Sequence, residues 1–417
     1  MPARPAVDLG PWIARRAAVS GDRPAVTYGD ATWTYRELAD RVDRLAAELV
    51  AGGIGTGDRV GYVGFNHPDF LTTMFAASRA GAVFVPLNFR LTSAELEYIL
   101  SDAGVHTLVA DADRAAVVEP VRASSGITRA IALEPVDGWE QLGPLLAARA
   151  PIAEPQSPAE DDLALIMYTS GTTGRPKGAM LTHGNMFWNN MNALLSLDTM
   201  STDISLVAAP MFHIGGLNVT TLITLQKGGQ LVILPAFDPT AALQLIEQHR
   251  VTTMFGVPAM FLFMSQVPAF ETTDLSSVRQ FTCGGAPVPE PLIALYNGRS
   301  IPFCQGYGLT ETAPLALVMD VYDTARKIGA AGHHVLPLSE VALLGPDGAP
   351  VLAGERGEVC VRGPQVTPGY WQNPDATGAA IDADGWFNTG DLGEVDEEGF
   401  VSITGRKKDL IVTAGGK

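Results

Sequence analysis

The chain has 417 residues, 47% of them apolar and 18% charged, with 45 acidic against 28 basic side chains and a formal net charge of −17. A chain of this length exceeds one ordinary core, so two or three packed subdomains are expected. The carboxylate excess disfavours nucleic acid as a bulk partner, because neutralising its phosphates needs clustered Lys and Arg, while a small anionic ligand held by a few local groups stays open.

In chain order, the first third alternates helix and strand signals. Leu38, Val42, Leu45 and Leu49 recur at helical spacing within residues 36–50, and Gly52-Gly53 supply a stop. A strand is expected at 59–63, a helix from Pro68, a buried strand at 82–87, a helix after the Thr92/Glu95 capping-box pair, and a strand from His106. Such alternation predicts a largely parallel sheet covered by helices. Residues 133–162 lose periodicity and collect Pro, Ala and acidic residues, as a connector does. Alternation resumes with LALIMYT (163–169) and continues through ISLVAA, QLVIL, VTTMF, RQFTC and IPFCQ. From about Ser339 the pattern becomes short strands with tight turns, suited to a small barrel or antiparallel sheet.

The expected fold class is therefore α/β: two packed α/β subdomains with mainly parallel sheets plus a small β-barrel-like subdomain. The expected divisions are 1–162, then 163–338 with a phosphate loop, then 339–404, then a short hinge at 405–417. Cys283, Cys304 and Cys360 are widely spaced in apolar strand-like runs, which argues for inert buried thiols and against a disulfide framework or zinc site. With no secretory core and no apolar span near the roughly 20 residues of a membrane helix, a cytoplasmic location is expected.

Chemistry concentrates in a few stretches. YTSGTTGRPKG (168–178) follows a strand and precedes a helix-like segment near Thr182. Its glycines, Gly171 and Gly174, let backbone N–H groups approach phosphate oxygens, and Thr169, Ser170, Thr172 and Thr173 add hydroxyl donors. Lys177 adds a point charge. The spacing does not fit G-x-x-x-x-G-K-[ST]. QGYGLTET (305–312) supplies Tyr307 as a flat apolar face, Gly306 and Gly308 as close-approach positions, and Glu311 as a hard oxygen ligand. GWFNTGD ends in Asp391, whose carboxylate can accept from two adjacent hydroxyls. MFHIGG places His213 in an apolar segment, where a core histidine and a substrate-facing one are both open readings.

Together with VPLNFRLTSAELEYIL, CGGAPVPE and GRKKDLI, these stretches resemble, in order along the whole chain, the adenylate-forming superfamily. That superfamily includes acyl-CoA synthetases, adenylation domains of peptide synthetases and firefly-type luciferases. The resemblance implies activation of a carboxylic acid with ATP, giving an acyl adenylate and pyrophosphate, with CoA as co-substrate and Mg²⁺ as metal. It implies that the glycine loop and Lys177 hold the departing phosphates, that Thr310 contacts the α-phosphate, and that Thr169 and Glu311 hold the metal. It further implies that Gly285, Ala286, Gln305, Gly306, Tyr307 and Gly308 surround the nucleotide, with Gly306 also against the substrate. Asp391 and Arg406 take the ribose with help from Lys408, and His213 faces the substrate carboxylate.

MFHIGG lacks the aspartate with which amino-acid-activating domains hold an ammonium, and GLNVTTLITL and VPAMFLFM are apolar, so an uncharged acyl or aryl tail is expected. The leading expectation is a fatty- or medium-chain acid CoA ligase. The alternatives are an aryl or specialised-metabolite acid ligase, an acyl-AMP ligase, or a non-catalytic nucleotide-binding domain. In the family, GRKKD is a hinge with Asp409 at its pivot, followed by a smaller domain bearing a catalytic lysine. On that basis this chain is expected to bind ATP and acid but to be impaired in catalysis.

Overall fold

The computed structural model describes residues 7–169, 175–333 and 335–407. Its described residues form two sheets. One has seven strands in the order Glu140–Gln141, Arg129–Ala132, Val105–Ala110, Arg59–Val63, Val83–Leu87, Leu163–Thr169 and Lys177–Thr182. Every neighbouring pair is parallel except the last, an antiparallel hairpin.

The other sheet has fourteen strands and changes character along its length. Its parallel half runs Phe303–Gly308, Gln280–Cys283, Thr253–Gly256, Ile204–Val207, Gln230–Ile233 and Pro24–Tyr28, with Ala31–Thr34 added antiparallel at the edge. Its antiparallel half runs outward from Phe303–Gly308 through Leu315–Val318, Gly332–His333, Phe400–Arg406, Phe387–Val395, Arg356–Arg362 and Ser339–Leu344 to Val335–Leu336.

The helices form where local signals place them. Tyr35–Ala51 opens on a reciprocal Thr34/Glu37 capping box and buries Leu38, Val42, Leu45 and Leu49 on one stripe. Ser93–Ala103 uses the same device at Thr92/Glu95 and stops at Gly104, whose φ of 64° is the left-handed cap glycine adopts most readily. At roughly 1.5–3 kcal/mol for each fully buried Leu, such a stripe outweighs the few tenths contributed by helix propensity.

Four placements differ from the expectations. The strand Leu163–Thr169, grouped above with the later α/β unit, joins the first sheet beside Val83–Leu87. The glycine loop is therefore the turn of a hairpin: the strand Lys177–Thr182 stands between it and the helix His183–Ser196, which Thr182 caps. Conversely, the early hairpin Pro24–Thr34 belongs to the second sheet, held by the Tyr35 hydroxyl donating to the Gly229 carbonyl at 2.5 Å and the Gln230 amide donating to Thr27 at 2.8 Å. The connector contains a helix, Leu142–Ala148, with Leu142 and Leu146 buried four residues apart, a pair too short for periodicity to reveal.

The three cysteines are free and buried. Burial pushes the thiols of Cys304 and Cys360 up to about 12 and that of Cys283 above its usual range, so all three stay protonated and inert. Among the described residues no helix is long and apolar enough to cross a membrane.

Candidate active site

The parallel strands of the second sheet end at a cleft of about 540 Å³, which fits the rule that α/β proteins bind ligands beyond the carboxyl ends of their strands. The hairpin of the first sheet forms one wall, so the cleft lies where the two sheets meet. Ten residues expected at a site line it: Thr169, Lys177, His213, Gly285, Gly306, Tyr307, Gly308, Thr310, Glu311 and Arg406.

The strand Phe303–Gly308 supplies the floor. Gly308 has to be glycine, since a Cβ there would stand 1.6 Å from the Pro314 carbonyl oxygen. The tight passage of chain that results turns directly into the short helical turn Thr310–Thr312, which delivers Glu311. Glu311 is buried, at 7% exposure, and its carboxylate accepts from the Tyr370 hydroxyl at 2.7 Å. Burial, then the Glu311 charge, raises the Tyr370 pKa well above its ordinary value, so this phenol remains a donor. Lys177 Nζ lies 5.4 Å from the centroid of the same ring, and Thr169 pairs with Lys177 across the hairpin. A cation, a hydroxyl and a carboxylate thus share one corner.

A second polar group forms the opposite corner. The Tyr307 hydroxyl donates to Asp391 Oδ2 at 2.7 Å, and Arg406 Nε forms an ion pair with Oδ1 at 3.0 Å. Residues 391 and 406 face each other across neighbouring antiparallel strands, which explains how side chains distant in sequence meet. Burial, then the Asp391 charge, raises the pKa of Tyr307. Asp391 sits behind the cleft surface, while Thr389, Gly390 and Arg406 line it.

His213 stands at the N-terminal end of the helix Ile214–Asn218, its ring 4.3 Å from that of Phe212 and open to the cleft. The protein packed around the ring, with a smaller contribution from Arg90, lowers its pKa, so a neutral imidazole faces the cleft at pH 7.

Not every expected residue meets there. Ala286 is exposed on the turn after Gln280–Cys283 and does not line the cleft. Gln305 is buried in strand pairing with Cys283, one residue out of phase with the floor glycine Gly306. Ser170, Gly171, Thr172, Thr173, Gly174, Lys408 and Asp409 lie outside the described residues.

Tyr370 is the residue that motif reasoning missed. The chain holds it by zippering residues 367–371 onto the strand Lys177–Thr182: Trp371 N–H donates to the Gly178 carbonyl at 2.7 Å, and Met180 N–H to that of Gly369 at 3.0 Å. Asp102 ties the same region from below, accepting from the Tyr168 hydroxyl at 2.5 Å through Oδ2 and from Trp371 Nε1 at 3.0 Å through its carbonyl. The only sequence signal is a pair of aromatics after a glycine, GYW, which by itself reads as packing.

Comparison with known proteins follows the same lines. The family described as AMP-binding enzyme matches residues 13–371. A feruloyl-CoA synthase of Amycolatopsis sp is 47% identical over 407 residues, spanning 98% of this chain and 80% of that protein. An indoleacetate–CoA ligase of Aromatoleum aromaticum is 38% identical over 416 residues, with the same two coverages. Among solved structures, a fatty acyl CoA synthetase of Mycobacterium tuberculosis superposes with a TM-score of 0.89 at 36% identity, covering 98% of this chain and 80% of that one.

Proposed function

We propose, from the premise that this chain belongs to the AMP-binding enzyme family, that it activates an aromatic carboxylic acid with ATP for transfer to CoA. A carboxylate oxygen of the acid attacks the α-phosphorus of ATP, the bond to the β-phosphate oxygen breaks, and pyrophosphate leaves. The thiol of CoA then gives its proton to solvent, attacks the acyl carbon and breaks the acyl–oxygen bond to AMP, which leaves to give the thioester.

The observation that carries the acid class is the 47% identity to the feruloyl-CoA synthase, against 37% to a long-chain-fatty-acid–CoA ligase of Mycobacterium tuberculosis. The aryl alternative therefore replaces the fatty-acid expectation. The apolar walls Ile214, Val219, Phe255 and Leu315, near His213, suit the tail of such an acid and offer no charged partner.

In this reading Tyr307 presents its ring to adenine, and Asp391 with Arg406 takes the ribose hydroxyls. Thr310 meets the α-phosphate, and His213, neutral at pH 7, donates toward the acid's carboxylate without a proton transfer. Lys177 offsets phosphate charge. Among the described residues no group of three or more His, Cys, Asp or Glu could hold a metal alone. The corner formed by the Glu311 carboxylate and the Thr169 hydroxyl still fits Mg²⁺, which usually takes one or two protein oxygens and completes its shell with phosphates and water. When bound, the ion would offset the charge of the β- and γ-phosphates. Tyr370 fixes the Glu311 carboxylate in place for that task.

Calorimetric titration of the 417-residue chain with non-hydrolysable sulfamoyl-adenosine analogues tests the acid class. A cinnamoyl analogue is expected to bind at least about tenfold tighter than a dodecanoyl analogue, a difference of about 1.4 kcal/mol. Tighter binding of the dodecanoyl compound would restore the fatty-acid reading.

A further inference from the structure

The corner that holds Asp391 and Arg406 rests on an irregular stretch of strand pairing. The strands Arg356–Arg362 and Phe387–Val395 run antiparallel, with Glu358 opposite Leu392 and Cys360 opposite Asn388. Residues 389–391 therefore stand against Val359 alone, and the longer side has to bow. Within the bow Gly390 has a φ of 75°, which a side chain would strain although a Cβ there would meet nothing. A bulge re-aims the residues it carries, and this one brings Thr389 and Gly390 to the cleft surface with Asp391 just behind them.

Bowing takes backbone N–H groups out of the ladder, and each then needs another acceptor. The Asp391 N–H donates to Thr389 Oγ1 at 3.0 Å, and the Thr389 hydroxyl donates in turn to the Val359 carbonyl at 2.7 Å. The Gly390 N–H donates to Glu358 Oε1 at 3.1 Å. The other oxygen of that carboxylate, Oε2, pairs with Lys407 Nζ at 2.8 Å. Glu358 thus ties down the residue before Asp391 and the residue after Arg406, and Asp391 and Arg406 face each other in register. Its side chain is 15% exposed and does not line the cleft, so its place is explained by what it holds. The two ties differ in weight. The Lys407 side chain is 63% exposed, and an ion pair so open to water contributes little. The bond from Gly390 is partly buried and ends on a carboxylate, which makes it the stronger.

We propose that Glu358 is a positioning residue for the nucleotide: by accepting the Gly390 N–H it fixes the bulge, and through the bulge it sets the Asp391 carboxylate where both ribose hydroxyls reach it. The inference rests on the ribose role given to Asp391 above. Without Glu358 the Gly390 N–H turns to find water and takes Asp391 with it, so the remaining acceptor sites of that carboxylate lose their alignment with a pair of adjacent hydroxyls.

The test titrates the 417-residue chain and its Glu358→Ala, Glu358→Gln and Lys407→Met variants with AMP and 2′,3′-dideoxy-AMP by calorimetry. The unaltered chain is expected to prefer AMP by at least about thirtyfold. Glu358→Ala is expected to cut that preference about tenfold through AMP alone, with dideoxy-AMP binding unchanged within about threefold. Glu358→Gln keeps an acceptor oxygen for Gly390, and Lys407→Met keeps the carboxylate, so both hold the preference within about threefold of the unaltered chain. A role in stability alone would make Glu358→Ala weaken both ligands alike or neither, and either result overturns the proposal. So does a loss in Glu358→Gln or Lys407→Met as large as that in Glu358→Ala. In all these cases the ribose reading stands as long as the unaltered chain prefers AMP. No such preference in the unaltered chain overturns the roles of Asp391 and Glu358 together.

Discussion

Asp391→Asn separates the ligand role of this carboxylate from its structural one. An ionised carboxylate offers about four acceptor sites. In the protein one site on Oδ2 takes the Tyr307 hydroxyl at 2.7 Å and Oδ1 forms an ion pair with Arg406 Nε at 3.0 Å, which leaves at least about two sites for the neighbouring hydroxyls of a ribose. Asparagine keeps the shape but replaces one acceptor oxygen with a donor and removes the charge. Hydrogen bonds to a charged partner contribute about 1.5–3 kcal/mol each, so losing one such bond and the charge from the other weakens AMP binding by roughly 2–4 kcal/mol, or about 30- to 900-fold.

Stability should change less. The Arg406 side chain is 64% exposed, so its ion pair is screened and worth about 0–1 kcal/mol, and the tyrosine hydroxyl can turn to accept from the new amide. The expected drop in unfolding free energy is about 1–2 kcal/mol. Calorimetry with AMP and 2′,3′-dideoxy-AMP on both proteins closes a double-mutant cycle. The variant should lose its large factor only against AMP and change by no more than about threefold against the dideoxy ligand. An equal loss for both ligands would mean that Asp391 merely props Tyr307, and the ribose assignment would fall.

Other perturbations address the remaining groups. Glu311→Gln should weaken ATP binding in the presence of Mg²⁺ by about tenfold or more while leaving AMP binding without the metal within about twofold, measured by titration with and without Mg²⁺. Asp102→Ala, which frees Tyr168 beside Thr169 and opposite Gly178, should weaken ATP by about tenfold but not AMP, since only ATP carries the β- and γ-phosphates whose charge Lys177 is proposed to offset. His183 is buried, accepts from Leu9 N–H at 3.1 Å through Nδ1, and has its pKa pushed from 6.5 down to about 4 by burial. The unfolded chain therefore binds a proton that the folded one refuses between those values, and stability falls as pH drops through 6.5 toward 4. Between pH 7.5 and pH 5 this residue removes about 2 kcal/mol, His67 and His213 act in the same direction, and urea midpoints of His183→Asn should lose most of that slope.

Sequence patterns carried most of the elements, for physical reasons visible in particular residues. The stripe Leu38–Val42–Leu45–Leu49 and the Thr92/Glu95 cap are local devices, so their helices stand where the spacing puts them. Pairing between strands is not local. Leu163–Thr169 looks alike whether it adds to the first sheet or the second, and the choice is made by contacts with Val83–Leu87 far upstream.

The site divides in the same way. Gly308, Tyr307 and Glu311 lie within one short motif, and the strand-to-turn geometry brings them together. Tyr370 reaches Glu311 across 59 residues. That contact is not written in a motif, because it depends on what the rest of the fold places beside the side chain.

The proposed function requires one cleft to hold a nucleotide and an aromatic acid end to end, so that the two can be joined. Competitive titration of the 417-residue chain with AMP, cinnamate and cinnamoyl sulfamoyl-adenosine tests it directly. If the pockets are continuous, the joined compound binds at least about a hundredfold tighter than AMP, and AMP and cinnamate each displace it. Binding no tighter than AMP alone, or joined compound that cinnamate does not displace, would contradict the account.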